Sequence, residues 1–169
     1  MANSLYTKKV MAHFKKPHNY GKIKDPDGVG KVGNLICGDV MWLYIKVGQN
    51  KKKQEIIKEI KFETFGCVAA IATSSAITDL AKGKTLEEAM KIGKSQVVES
   101  LGELPPVKLH CSVLASDALV EAIHDYFSKN KKDIPADLEI KHQKISKEKE
   151  ETARRYKDWV EMEEKMKGE

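Results

Sequence analysis

At Cys67 the spacing of apolar residues changes from a period of two to a period near 3.6. Upstream, Met41, Leu43, Ile45 and Val47 alternate with Trp42, Tyr44 and Lys46, and Ile60 and Phe62 alternate with Lys61 and Glu63. Such alternation lays one face of a strand against a core. The polar break from Gly48 to Lys53 fits a hairpin, and strand character begins near Val32, so two or three antiparallel strands are expected. Downstream, Val68 to Lys82 reads as an Ala/Ile/Ser-rich helix stopped by Gly83. Thr85 to Ile92 follows, with Thr85 as N-cap and Glu88 in the capping-box position. A third short helix covers Gln96 to Leu101, and Pro105-Pro106 keeps any helix from running on. The last core helix, Ser112 to Lys129, carries Ala115, Leu119, Ala122 and Tyr126 on one face. Ahead of the sheet, Ser4 to Phe14 reads as a short amphipathic helix with Ser4 as N-cap, and Pro17 to Gly33 as turn chemistry. Sheet first and helices after is the pattern of an α+β domain: about three antiparallel strands packed on several helices.

The chain has 169 residues, enough for one core plus an appendage. The expected division is a domain over 1–132 and a charged helical extension over 133–169. From Glu139 onward Lys/Arg and Asp/Glu cancel at nine each, so the net charge of +5 sits in the first part. The extension offers i,i+4 pairs at Glu150/Arg154, Glu151/Arg155 and Glu161/Lys165, with a thin apolar stripe of Tyr156, Trp159, Met162 and Met166. A solvated helix lightly docked on the domain is the expectation. The excess charge is too small and too scattered for a nucleic-acid binder. No apolar run approaches the ~20 residues of a bilayer span, so no membrane partner is expected. Met1-Ala2-Asn3-Ser4 lacks the layout of a secretory signal, which makes the cytoplasm the expected location.

Three cysteines are too few for a disulfide framework, so metal binding or reactivity is the question they raise. Each stands at a junction. Cys37 precedes Gly38-Asp39 between strand-like segments, Cys67 follows Gly66 and opens a helix, and Cys111 follows His110 at the start of the last core helix. Helix N-termini favour thiolate, the form that binds metal and attacks sulfur. Cys37, Asp39, Cys67, His110 and Cys111 together offer three soft sulfurs, an imidazole and a carboxylate, a set suited to zinc or to iron and sulfide. Structural zinc sites advertise themselves with paired C-x-x-C knuckles, and none occurs. Scattered cysteines are more often small buried hydrophobes, and only the adjacent His110-Cys111 is a strong local cue against that. His13, His18, His124 and His142 have no such company in the sequence and read as surface or packing residues.

At these residues the chain resembles the IscU/NifU-type scaffold family. Cys37-Gly38-Asp39-Val40-Met41 is similar to the family's first cysteine motif, and Thr64-Phe65-Gly66-Cys67 before an Ala/Ser-rich helix to its second. Leu104-Pro105-Pro106-Val107-Lys108-Leu109-His110-Cys111-Ser112 resembles the third. The likeness covers about Ser4 to Asn130. Departures are Leu35-Ile36 before Cys37, Val68 after Cys67, and an extension without cysteines.

The resemblance implies a scaffold, not an enzyme, on which an iron–sulfur cluster is built and from which it is passed to apo-proteins. A cysteine desulfurase of IscS/NifS type would supply sulfur, with Cys111 as persulfide acceptor. Cys37, Asp39, Cys67, His110 and Cys111 would hold a transient cluster, 2Fe-2S by expectation, or zinc without iron. Leu104, Pro105, Pro106, Val107 and Lys108 would form the segment gripped by an Hsp70-type chaperone. The alternative within the resemblance is a zinc-dependent sulfur-transfer adaptor of SufU type. A Cys–His–Asp hydrolase has the right residue types but no oxyanion-hole motif.

Overall fold

The computed structural model describes residues 4–34 and 38–167. Three strands, β1 (Gly28–Asn34), β2 (Asp39–Gln49) and β3 (Glu55–Phe65), pair antiparallel in the order β1-β2-β3. Among the described residues six α-helices accompany them: α1 (Lys8–Lys15), α2 (Val68–Ala81), α3 (Leu86–Met90), α4 (Lys94–Ser100), α5 (Leu109–Lys129) and α6 (Ala136–Lys167). The α+β class is the one expected from the change of period.

The alternation along β2 becomes burial: Met41, Leu43 and Ile45 are fully covered, while Trp42, Tyr44 and Lys46 are only partly so. In β3, Ile57, Ile60 and Phe62 complete that face, with one register shift between Lys46 and Val47. Ala69, Ala72 and Ile77 of α2 and Ala115, Leu119 and Ile123 of α5 close the core over it. The free edge of β3 is covered where Phe62 N–H donates to Asn19 O and Gly21 N–H to Phe62 O. Thr85 and Glu88 form the expected capping box at α3.

Three local readings change. Thr7, not Ser4, caps α1: its hydroxyl accepts from Val10 N–H, while Ser4 bonds the Tyr6 carbonyl. β1 starts at Gly28, inside the stretch read as turn. Its glycines are there for packing: a Cβ on Gly28 would lie 2.2 Å from Ala122 O, and one on Gly30 would lie 2.0 Å from Ala118 O. The strand therefore meets the α5 backbone directly. The extension docks harder than expected, since Leu138 is 1% exposed and the His142 ring stacks on His124 at 3.6 Å. Beyond that contact α6 is solvated, with Tyr156 and Met162 exposed. Trp159 and Met166 have side chains outside the described set. Among the described residues the ion pair within α6 is Lys157–Glu161 at 3.9 Å, and the three expected pairs stay open. Exposed partners gain too little to hold one geometry.

Candidate metal centre

Three chain junctions meet at one end of the sheet. Asp39 begins β2 opposite Asn34, and the next pair, Val40 with Phe65, brings Gly66 and Cys67 alongside. Cys67 is the N-cap of α2, and Cys111 lies in the first turn of α5, entered through a 3-10 turn at Pro106–Lys108. Thr73 Oγ1 of α2, whose shortest acceptor is Ala69 O at 2.8 Å, also lies 3.2 Å from Cys111 O, which places the two helix starts side by side. Cys37 lies outside the described residues.

Asp39 is the organising residue. It is 5% exposed, and its carboxylate lies over Gly66, where a Cβ would stand 2.6 Å from Oδ1 and 2.7 Å from Ala70 Cβ. Glycine before Cys67 thus makes room for a carboxylate beside the cysteines. In the sequence Gly66 stands out only as part of a motif, and a glycine at a strand-to-helix joint is the signal for such a close approach.

From there a triangle of donors closes. His110 Nε2 is 3.5 Å from Cys111 Sγ and 3.6 Å from Asp39 Oδ2, and Cys111 Sγ is 3.9 Å from the same oxygen. With metal bonds of ~2.0–2.1 Å to nitrogen, ~2.0–2.2 Å to oxygen and ~2.3 Å to sulfur, tetrahedral edges come to roughly 3.4–3.6 Å. The three atoms already stand near the corners of one face of such a site. Their chemistry fits: one soft sulfur, one imidazole, one hard oxygen.

The electrostatics differ from the expected thiolate at a helix start. Cys111 is 1% exposed, and burial pushes its thiol up to about 12, with the charges of Cys67 and Asp39 acting the same way and Lys108 opposing them. Desolvation outweighs the helix dipole here. Cys67 is half-buried and is the first cause of the raised Lys108 pKa. Tyr6, outside the expected ligand set, senses the same group: burial, then Cys67, raises its phenol.

The segment 104–108 divides. Leu104 packs into the core, so it is not free to be gripped, whereas Pro106 is exposed and Val107 is 73% exposed. Phe65, 71% exposed, and Leu109 add apolar surface from the two flanking junctions.

Residues 5–133 match the model of the NifU-like N-terminal domain. The chain belongs to that family. Two iron–sulfur cluster assembly scaffold proteins of Archaeoglobus fulgidus, IscU 1 and IscU 2, are each 59% identical over 128 residues, 76% of this chain and 80% of theirs. IscU of Haemophilus influenzae is 52% identical over 127 residues, 73% of this chain and 97% of its own. Among solved structures, a hypothetical protein shares 30% identity at a TM-score of 0.56, covering 72% of this chain and 98% of that one. A putative cluster assembly scaffold for the SUF system from Fervidobacterium islandicum has the same fold, at 23% identity and a TM-score of 0.57, over 73% of this chain and 99% of its own. α6 lies outside the family match. No helix among the described residues is long and apolar enough to cross a membrane.

Proposed function

We propose that this chain is a scaffold for iron–sulfur cluster assembly, working at the donor set of Cys37, Asp39, Cys67, His110 and Cys111. The single observation that carries the reading is the Asp39–His110–Cys111 triangle, whose edges suit one metal ion. Iron and sulfide are cargo here, so the site has to release what it takes up. Asp39 serves that need: an oxygen ligand holds iron in a sulfide-rich set less firmly than thiolate does. By the same token zinc fits these ligands when iron is absent.

Sulfur would come from a cysteine desulfurase. In the transfer, the Cys111 sulfur attacks the outer sulfur of the donor's persulfide. The donor's S–S bond breaks, the donor leaves as thiolate, and Cys111 carries the persulfide. Because burial keeps Cys111 protonated, the step needs a base, and His110 Nε2 at 3.5 Å is placed to take the proton. Half-buried Cys67 and Lys108 flank the approach. Phe65, Val107 and Leu109 form the apolar rim on which a desulfurase, an apo-acceptor or an Hsp70-type chaperone would dock. Residues 1–132 are the working unit in this reading and 133–169 an appendage, in a reducing compartment such as the cytoplasm.

Anaerobic reconstitution with iron, cysteine and a desulfurase, followed by visible absorption, tests the proposal. The expected product has a 2Fe-2S spectrum and passes its cluster to an apo-ferredoxin. Asp39→Ala is expected to make the cluster longer-lived and to slow transfer about tenfold or more, the scale of losing one metal-tuning group. Transfer as fast as wild type would remove Asp39 from its role. Stoichiometric zinc with desulfurase stimulation and no cluster would replace the scaffold by a SufU-type adaptor.

A further inference from the structure

We propose that His13, His18 and Asp79 form a second metal site, for a borderline divalent ion of the zinc type, distinct from the cysteine centre. His13 is in the last turn of α1, His18 is in the turn that follows, and Asp79 is on the exposed side of α2. One ring nitrogen from each imidazole and one carboxylate oxygen all lie within 4.8 Å of one another. Asp79 is twelve residues beyond Cys67 on a continuous helix, about 18 Å along the axis, so the two sites share no ligand.

The supporting contacts are those of a ligand set. His13 Nδ1 is 2.7 Å from Ser75 Oγ. In the tautomer whose Nδ1–H donates to that hydroxyl, Nε2 keeps a free lone pair for a metal, with the other ring nitrogen anchored as in metal-binding histidines. Ser75 Oγ also accepts the His18 backbone N–H at 2.8 Å, which fixes the turn carrying the second ring. Asp79 uses its oxygens differently: Oδ1 accepts from Asn19 Nδ2 at 3.3 Å, while Oδ2 faces His18 Nδ1 at 2.6 Å. Asn19 is held in turn by Thr78.

A bare ion pair between His18 and Asp79 accounts for one imidazole and not for the other. The ring centroids of His13 and His18 are 4.8 Å apart, so the two imidazoles stand side by side at one place. A divalent cation uses both rings at once. Binding replaces the proton shared by His18 and Asp79 and spreads those atoms to roughly 3.4 Å, the tetrahedral edge for nitrogen and oxygen donors. Both side chains are exposed enough to make that move. The nitrogen- and oxygen-rich set favours Zn²⁺, Co²⁺ or Ni²⁺, and the ion would clip α1 to α2.

Cobalt distinguishes the two sites, because thiolate ligation adds an intense near-ultraviolet charge-transfer band that imidazole and carboxylate lack. The full chain, reduced and anaerobic, is titrated with Co²⁺ and the thiolate band and the visible d–d bands are followed separately. Two classes are expected, the second without charge transfer. His18→Gln and Asp79→Asn should each weaken the second class at least about tenfold and leave the thiolate band unchanged, while His142→Gln alters neither. Saturating Zn²⁺ should raise the melting temperature less in His18→Gln than in wild type, the metal-free proteins melting alike. A single, thiolate-bearing class in wild type, a second class that persists in His18→Gln, or equal loss in His142→Gln overturns the proposal.

Discussion

Helix α5 is packed on two sides by different means. Toward β1 the contact is backbone against backbone, with no room for a methyl group at Gly28 or Gly30. Toward α6 it is side chain against side chain, with two histidine–carboxylate bonds beside the buried Leu138. His124 bonds Glu139 at 2.9 Å, His142 bonds Glu121 at 2.7 Å, and the two imidazoles stack. One side is steric and all-or-none; the other is electrostatic and graded. The steric side holds α5, the helix that carries Cys111 and His110, against the sheet at Ala118 and Ala122. The graded side borders His110 through a groove of about 310 Å³ that runs from Val32 and Asp117 to Ile145, Glu148 and Thr152 of α6. Position comes from one side, adjustment from the other.

The largest effect is expected from breaking the steric side. In Gly30→Ala the new Cβ meets Ala118 O at 2.0 Å and Ala122 N at 2.7 Å, both rigid backbone. The cost should be about 3 kcal/mol or more, lowering the melting temperature by roughly 6–12 °C. Gly48→Ala is the milder comparison: its Cβ would stand 3.1 Å from Cβ and Cδ of Lys58, and its three nearest neighbours are side-chain atoms. That change should cost about 1 kcal/mol or less. Thermal melts of both proteins check the pair, and equal losses would show that the β1–α5 approach is not special.

Next comes removal of Asp137 to Glu169. The truncated chain loses the buried Leu138, the imidazole stack and both His–Glu bonds. Leucine burial alone is worth about 1.5–3 kcal/mol, so the melting temperature should fall by several degrees. Desulfurase-dependent cluster formation should nevertheless persist, because every proposed ligand precedes α6. A truncated protein that stays folded but forms no cluster would make α6 part of the working surface.

The same contrast explains what could be read in the sequence. The β2 and β3 faces were legible because one face of each is core, and alternation then appears in the residues themselves. Cys111 and His110 were legible as neighbours in the chain. Gly28 and Gly30 were not legible as strand residues, because glycine before a sheet looks like turn chemistry until a helix is seen against it. Nor was the burial of Cys111: a helix start signals a thiolate only if water or a cation reaches the sulfur. Asp39 could be named as a ligand, but its support by Gly66 needed the β2–β3 register. The His13–His18–Asp79 cluster joins residues more than sixty positions apart, and no local pattern announces such a pair of elements.

The smallest effect, and the one that separates the two sides of α5 most cleanly, is expected at Asp117. Its carboxyl is pushed from the ordinary 3.8 up to about 6, by burial first and then by Glu148, with Lys144 pulling down and Glu121 pushing up. In the unfolded chain the group releases its proton near pH 4. Between about pH 4 and 6 the folded protein therefore holds a proton that the unfolded chain has lost. Stability falls as pH rises through that window, and the full penalty is present above it. Well below pH 4 both states are protonated and the effect vanishes. Two pH units correspond to roughly 3 kcal/mol at most, and partial exposure reduces this to about 1–2 kcal/mol. Asp117→Asn should accordingly raise the melting temperature at pH 7 by roughly 2–8 °C and by much less at pH 4. Part of the penalty comes from Glu148, and α6 supplies cover for the groove, so the substitution should gain much less in the chain lacking Asp137 to Glu169. Melts of the four proteins at both pH values decide the matter. A gain that is the same at pH 4 and pH 7, or undiminished without α6, would mean that the α5–α6 contact is not titratable.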